Sequence, residues 1–188
     1  RFKNVQKFVI AEVGFGTGLN FLLTWKLWKE NRKTNGSLTY ISFENAPLSK
    51  KEIARVYKKF KKLDQYSTFL LKNIPEKCKS IHRIYIKADN INLILIYDDI
   101  TSLINFNLSV DTWFLDGFSP KKNPFAWTDK LFKQLYNFTN LDGSLSTFSV
   151  AGHVRRGLLK AGFKVSKVNG YGNKKEITYA IKKDSIIS

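Results

Sequence analysis

The stretch Glu12-Val13-Gly14-Phe15-Gly16-Thr17-Gly18 constrains this chain more than any other. Before it, Phe8 to Val13 is a short apolar segment that reads as a buried strand. After it, Leu19 to Trp28 sets apolar residues at helical spacing, so a helix starts near Gly18. A strand that turns through three glycines into a helix lets backbone approach a ligand closely. It also offers helix N-terminal amides to an anionic group. The dinucleotide fingerprint needs a glycine where this chain has Leu19, which weakens that reading. No Gly-Lys-Ser/Thr follows, which excludes a nucleotide-triphosphate loop.

Strand and helix patterns then alternate along most of the chain. Asn35-Gly36 marks a turn before the strand Leu38 to Phe43. Ser49 with Glu52 forms a capping box for a helix expected to run to about Lys62. Ile81 to Lys87 and Ile91 to Tyr97 read as a hairpin, or as an edge strand beside a core strand. Val110 to Leu115 is a buried strand, and Thr128 starts a helix reaching about Phe138. Asp142-Gly143 is expected to turn into a strand from Ser144 to Val150. A helix over His153 to Ala161 closes at Gly162. Phe163 to Val168 and Glu176 to Ile181 are strands with no helix between them, so they must pair antiparallel at a sheet edge. The alternation predicts an α/β fold: a mostly parallel, doubly wound sheet with an antiparallel C-terminal hairpin, in one domain covering residues 1–188.

The 188 residues are 43% hydrophobic and 25% charged, enough apolar mass for a packed core. The longest apolar runs, such as Leu93 to Tyr97, are far shorter than the roughly 20 residues a membrane-spanning helix needs. A single cysteine, Cys78, excludes a disulfide scaffold and a cysteine-rich zinc site. With two histidines and no spaced ligand set, no metal site is expected, and Cys78 and His82 read as structural, without recognisable partners. The net charge of +17 points to a polyanion, with nucleic acid ahead of a membrane surface. The first residues carry no signal peptide, so the expected location is cytoplasmic. Because the chain starts at Arg1 and holds no methionine, an N-terminal truncation is expected.

In a chain this poor in carboxylates, their placement is informative. Glu12, Glu44, Asp99 and Asp116 each fall at the C-terminal end of a predicted strand, the edge where open α/β sheets bind ligands. Any one of them is also explained as a cap of the following helix; all of them together suit a ligand carrying positive charge and hydroxyls. An acid before the three glycines suits S-adenosylmethionine: amides of Gly14, Gly16 and Gly18 meet its carboxylate, and Glu12 meets its ammonium group. Glu44 lies 26 residues after Gly18, near the spacing of about 20 expected for an acid on ribose hydroxyls. Asp99 is expected to accept from the adenine amino group.

Asp116-Gly117-Phe118-Ser119-Pro120 is the reaction-site candidate, expected beside the sulfonium methyl. Methyl transfer is an in-line displacement, so alignment dominates. An ammonium has no lone pair; a carboxylate can hold a neutral amine, aim it and take its proton. Phe118 is expected to stack on a flipped-out base. The competing explanation is plain Asp-Gly turn chemistry with Phe118 in the core. Trp113 reads as core, whereas Trp127 is open to either role. Lys121, Lys122, His153, Arg155, Arg156, Lys174 and Lys175 read as exposed cations. If about six meet phosphates, log affinity falls with log salt at a slope near −4. Lys58, Lys59, Lys61 and Lys62 read instead as a solvated helix face.

These segments together resemble the methyltransferase domain of the MnmC/MnmD family. The resemblance rests on Glu12 to Phe21, Phe43 to Leu48, Trp113 to Pro124 and Thr147 to Leu158, extended by Ala161 to Val165 and Gly170 to Glu176. It implies a class I, Rossmann-like fold and use of S-adenosylmethionine to methylate the aminomethyl group of 5-aminomethyl-(2-thio)uridine at the tRNA wobble position. It also implies that Gly14, Gly16, Gly18, Asn20, Glu44 and Asp99 line the cofactor pocket, that Asp116 faces the amine, and that Phe118 and Pro120 shape the base pocket. The chain departs from the family in having Asp98 where glycine is usual, and the segment that precedes the family's first core strand is expected to be missing. Many relatives continue into an FAD-dependent oxidase domain; none is expected here, and so no flavin. Two other readings stay open: a methyltransferase acting on another RNA base, and a noncatalytic RNA-binding module.

Overall fold

A computed structural model of the chain describes residues 5–32, 35–117, 127–170 and 175–184. Eight strands form one sheet in the order β3-β4-β2-β1-β5-β6-β8-β7. They are β1 (Lys7–Val13), β2 (Ser37–Phe43), β3 (Ile81–Ile86), β4 (Ile91–Ile96), β5 (Val110–Leu115), β6 (Thr139–Thr147), β7 (Lys164–Asn169) and β8 (Glu176–Ile181). The β2–β4, β1–β5 and β5–β6 ladders are parallel. The β7–β8 ladder is antiparallel, as the missing crossover helix required, and the β6–β8 ladder is antiparallel as well. The far edge is antiparallel too, because β3 and β4 form a hairpin.

The chain divides into two compact units. The first comprises residues 1–8 and 14–99, and its core is built on α1 (Leu19–Asn31). Phe21, Leu22, Trp25 and Trp28 of that helix are buried. Phe21 meets Tyr40 edge-on with centroids 5.2 Å apart, and Trp25 meets Tyr66 at 4.9 Å and Phe69 at 5.3 Å. Buried indoles need acceptors. Trp25 Nε1 donates to the Asp89 carboxylate at 2.7 Å, and Trp28 Nε1 donates to the Asp89 carbonyl at 2.9 Å. These bonds pin α1 to the short turn Lys87–Asp89, which joins β3 to β4.

The expected capping box is present: Ser49 accepts from the Glu52 amide, and Glu52 accepts from the Ser49 amide at 2.7 Å. The helix it starts, α2 (Lys50–Tyr57), is shorter than expected. A 3-10 turn at Lys61–Leu63 follows, and then a separate helix, α3 (Asp64–Asn73), in a stretch where no element is expected from the sequence. Leu63, Tyr66 and Leu70 are buried, so a new apolar face toward the core sets the break, although no Gly or Pro marks it.

The second unit comprises residues 9–13 and 100–188. It contains α4 (Asp129–Phe138), capped by Thr128, and α5 (Gly152–Ala161), ended by Gly162 at φ 116°. The helices pack through Gly157, where an added Cβ would sit 2.3 Å from the Phe132 ring. Trp113 is fully buried, and its Nε1 donates to Thr139 Oγ1 at 3.0 Å. The Asp142-Gly143 pair is not a turn before a strand. It lies inside β6, which starts at Thr139 and ends at Thr147 rather than Val150. Asp142 takes φ 61°, and the β5–β6 register shifts there: Val110 faces Thr139, but Thr112 already faces Ser144. The same αL-tolerant chemistry that makes turns makes a bulge when pairing continues on both sides.

Candidate functional site

In the first unit, the end of β1 feeds a loop in which Gly14, Gly16 and Gly18 have φ of 91°, 52° and 79°. All three sit in the left-handed region that side chains disfavour. Gly18 also stands as the residue before α1, where an added Cβ would lie 2.7 Å from the Phe15 ring and 2.9 Å from Leu70. Gly16 differs: an added Cβ there would meet nothing within 4 Å. One glycine is required by packing, and the other borders open space.

Glu44 follows β2 directly and is 7% exposed. Its Oε2 accepts from the Gly16 amide at 2.9 Å, and its Oε1 accepts from the Ala46 amide at 2.8 Å. The carboxylate therefore braces the glycine loop from the side. Asn20 is half-buried in the first turn of α1. The Tyr57 hydroxyl, at the end of α2, donates to the Thr17 carbonyl at 3.0 Å and ties a second element to the loop.

A cavity of about 680 Å³ opens beside Glu44, lined by Asn45 to Leu48, Glu52, Lys77 to Lys79 and Tyr97 to Asp99. That size suits a nucleoside-sized ligand. Asp99 lies on its wall, with Asn45 Nδ2 donating to Asp99 Oδ2 at 3.5 Å. Asp98 is paired with Lys79 at 3.0 Å. That hydrogen bond, helped by the Asp99 amide, holds the Asp98 carboxyl below the usual range. Burial, with the Glu44 charge adding to it, pushes the Tyr97 hydroxyl up to about 12. Asn45 lies within the Phe43 to Leu48 segment, but neither it nor Tyr57 and Tyr97 is marked individually, because an isolated amide or phenol does not signal a ligand.

In the second unit, Glu12 is 1% exposed within β1. Asp116 leaves β5 exposed, and the Gly117 amide after it donates to the Val13 carbonyl at 2.7 Å. Phe118, Pro120, Lys121, Lys122 and Lys174 lie outside the described residues. Arg156 and Lys175 are exposed as expected. Arg155 is not: it is half-buried, and its Nε is buried with no hydrogen-bond partner among the described residues. Trp127 is buried at 9% exposure. Cys78 and His82 prove to be each other's partners, with Sγ and Nε2 3.7 Å apart, and His82 packs on the Tyr97 ring. Among the described residues, no group of three or more His, Cys, Asp or Glu could hold a metal ion. None of their helices is long and apolar enough to cross a membrane.

Residues 61–183 match the family model described as S-adenosyl-L-methionine-dependent methyltransferase. The chain is 40% identical over 95% of its length to the tRNA 5-methylaminomethyl-2-thiouridine biosynthesis bifunctional protein MnmC of Marinomonas sp. (strain MWYL1). Identity to the protein of the same name from Hahella chejuensis is 37% over 96% of the chain. The chain spans 27% and 30% of the length of those two relatives. Among solved structures, MNMC2 from Aquifex aeolicus aligns with a TM-score of 0.73 at 27% identity, covering 94% of this chain and 53% of that one. The antibiotic-resistance methyltransferase Kmr shares the fold at a TM-score of 0.55 and 10% identity, with 95% of this chain and 87% of that one covered.

Proposed function

The chain belongs to the S-adenosyl-L-methionine-dependent methyltransferases, and from that membership we propose that it methylates the aminomethyl nitrogen of 5-aminomethyl-(2-thio)uridine at the tRNA wobble position. One observation carries the choice of substrate. The two relatives named for 5-methylaminomethyl-2-thiouridine biosynthesis align with 95% and 96% of the chain, a span that takes in the glycine loop and the Asp116 turn.

The residues of the first unit fit the cofactor. The open space at Gly16 admits backbone contact that a Cβ would block. The cavity lined by Asn45 and Asp99 offers acceptors and donors for an adenine edge, and Glu44 keeps lone pairs for ribose hydroxyls. When bound, S-adenosylmethionine supplies an electrophilic methyl group. Asp116 would accept a hydrogen bond from the substrate amine, hold its lone pair toward the methyl carbon and take the proton that the nitrogen gives up, while the electron pair of the broken methyl–sulfur bond leaves on sulfur. Glu12, Gly14, Gly18 and Asn20 complete the cofactor contacts in this reading. Phe118 and Pro120 shape the base pocket, and Lys122, Arg156, Lys174 and Lys175 meet tRNA phosphates. Arg155 is assigned to the same surface, although its Nε is buried. Residues 1–188 act as one methyltransferase domain in the cytoplasm, functionally linked to an FAD-dependent oxidase step that exposes the amine.

The test is mass spectrometry of wobble nucleosides after the protein is incubated with S-adenosylmethionine and tRNA carrying the aminomethyl group. The expected gain is one methyl, or about 14 mass units, on that nucleoside alone. Methylation of tRNA that lacks the aminomethyl group would transfer the reading to another base. Tight, salt-sensitive tRNA binding with no calorimetric response to S-adenosylmethionine would make the chain an RNA-binding module.

A further inference from the structure

The run Lys58-Lys59-Phe60-Lys61-Lys62 is not a helix face. Helix α2 stops at Tyr57, and the chain turns there: the Phe60 amide donates to the Tyr57 carbonyl at 2.9 Å, and the Leu63 amide donates to the Phe60 carbonyl at 2.8 Å. All four lysines are exposed, and between them Phe60 is 40% exposed. Several lysines elsewhere pair with carboxylates, as in Lys77–Glu52, Lys79–Asp98, Lys160–Asp129, Lys167–Glu176 and Lys183–Asp142. These four make no ion pair with any described residue, although Asp64 follows two positions on. Holding four like charges on one turn costs self-repulsion and contributes nothing to the core, which leaves a polyanion as their natural complement.

We propose that this turn is an RNA-docking site in which the four lysines meet phosphates and Phe60 stacks on an unpaired base. A ring flanked by cations is the pattern used for single-stranded nucleic acid, where stacking is sequence-tolerant and phosphates supply the affinity. The position supports it. Tyr57, which immediately precedes the run, holds the Thr17 carbonyl of the glycine loop, so the turn and the cofactor loop belong to one hydrogen-bonded framework. The site adds to the contacts assigned above to residues 122–175, and it rests on the reading of the protein as a tRNA enzyme.

The experiment titrates the protein against tRNA by fluorescence anisotropy at salt concentrations from about 50 to about 300 mM, the range in which counterion release is read. It compares the parent with K58A/K59A/K61A/K62A and with F60A, and measures S-adenosylmethionine affinity of each by calorimetry. Each lost phosphate contact removes roughly 0.7 from the slope of log affinity against log salt, so the lysine variant is expected to be flatter by about 3. F60A is expected to bind roughly 5- to 100-fold more weakly with its slope unchanged. Cofactor affinity should stay the same in all three proteins. A lysine variant that keeps the parent slope overturns the inference and leaves the wobble-methylation reading standing. A parent that binds no tRNA, yet binds vesicles of phosphatidylserine and phosphatidylcholine through these lysines, overturns it too and assigns the turn to a lipid surface. A parent that binds neither ends the inference as well, while nucleoside mass spectrometry judges the reading separately.

Discussion

The two units place two candidate carboxylates, Glu44 and Asp116, in opposite ways. In the first, Glu44 is buried and both its oxygens accept backbone amides, and the glycine loop is held by Glu44, Tyr57 and the ring of Phe15. In the second, Asp116 is exposed at the end of β5. The contrast separates two tasks. A ligand used in every turnover is met by groups locked into the core, where solvation cannot loosen them. In the mechanism proposed above, Asp116 receives a bulky substrate and accepts a proton, and a carboxylate near water carries its charge at little cost. Stability is therefore sensitive at the first site, and turnover at the second.

The largest expected effect tests the second site. Asp116→Ala should lower turnover by about 10²- to 10⁴-fold, with cofactor affinity by calorimetry and the denaturation midpoint unchanged. Equal loss of affinity and turnover would make Asp116 a cofactor ligand and erase the contrast. Next come the two glycines. Gly18→Ala combines a left-handed φ with a collision against Phe15, so chemical denaturation should show a loss of about 2–4 kcal/mol. Gly16→Ala shares the left-handed φ but meets no neighbour, so about 1–2 kcal/mol is expected; its larger effect should be on cofactor binding, because the new methyl enters the open space. Reversal of that order would mean that Gly16 is the structural glycine.

A smaller effect concerns pH. The Tyr97 hydroxyl titrates at about 12 in the folded chain against 10.0 ordinarily, so the folded state holds this proton more tightly. Its contribution is fully present below pH 10 and lost as pH rises toward 12, about 2–3 kcal/mol in all. Guanidinium midpoints of the parent and Tyr97→Phe should therefore diverge across that window, with the parent falling faster. The smallest effect lies in the second unit. Asp142→Gly relieves a φ of 61° but adds backbone entropy and removes an exposed pair with Lys183, so stability should change by no more than about 1 kcal/mol.

Much of the scaffold could be read from local chemistry. The strand into Gly14, the Ser49 capping box and the αL stop at Gly162 each depend on a few adjacent residues, and each appears in place. The misses share a cause: the deciding partner is remote or silent in sequence. No residue between Tyr57 and Asp64 breaks helical patterning; Trp25 packing on Tyr66 and Phe69 is what starts α3 as a separate helix. Asp142-Gly143 has turn chemistry, but the β5 and β8 ladders on either side keep it in the strand. Glu44 stood out as an isolated acid, while its bond to Gly16, 28 residues away, depended on folding. Of the two neighbouring arginines, only packing decided that Arg155 turns its Nε inward.

The grip of Glu44 on the Gly16 amide has an energetic consequence. The curvature of the loop is set by bonds within the chain, so its ordering cost is met once, during folding, and not again at each encounter. An arriving nucleoside meets a surface already shaped, so less of its binding free energy is consumed in stilling a slack segment and more survives as affinity.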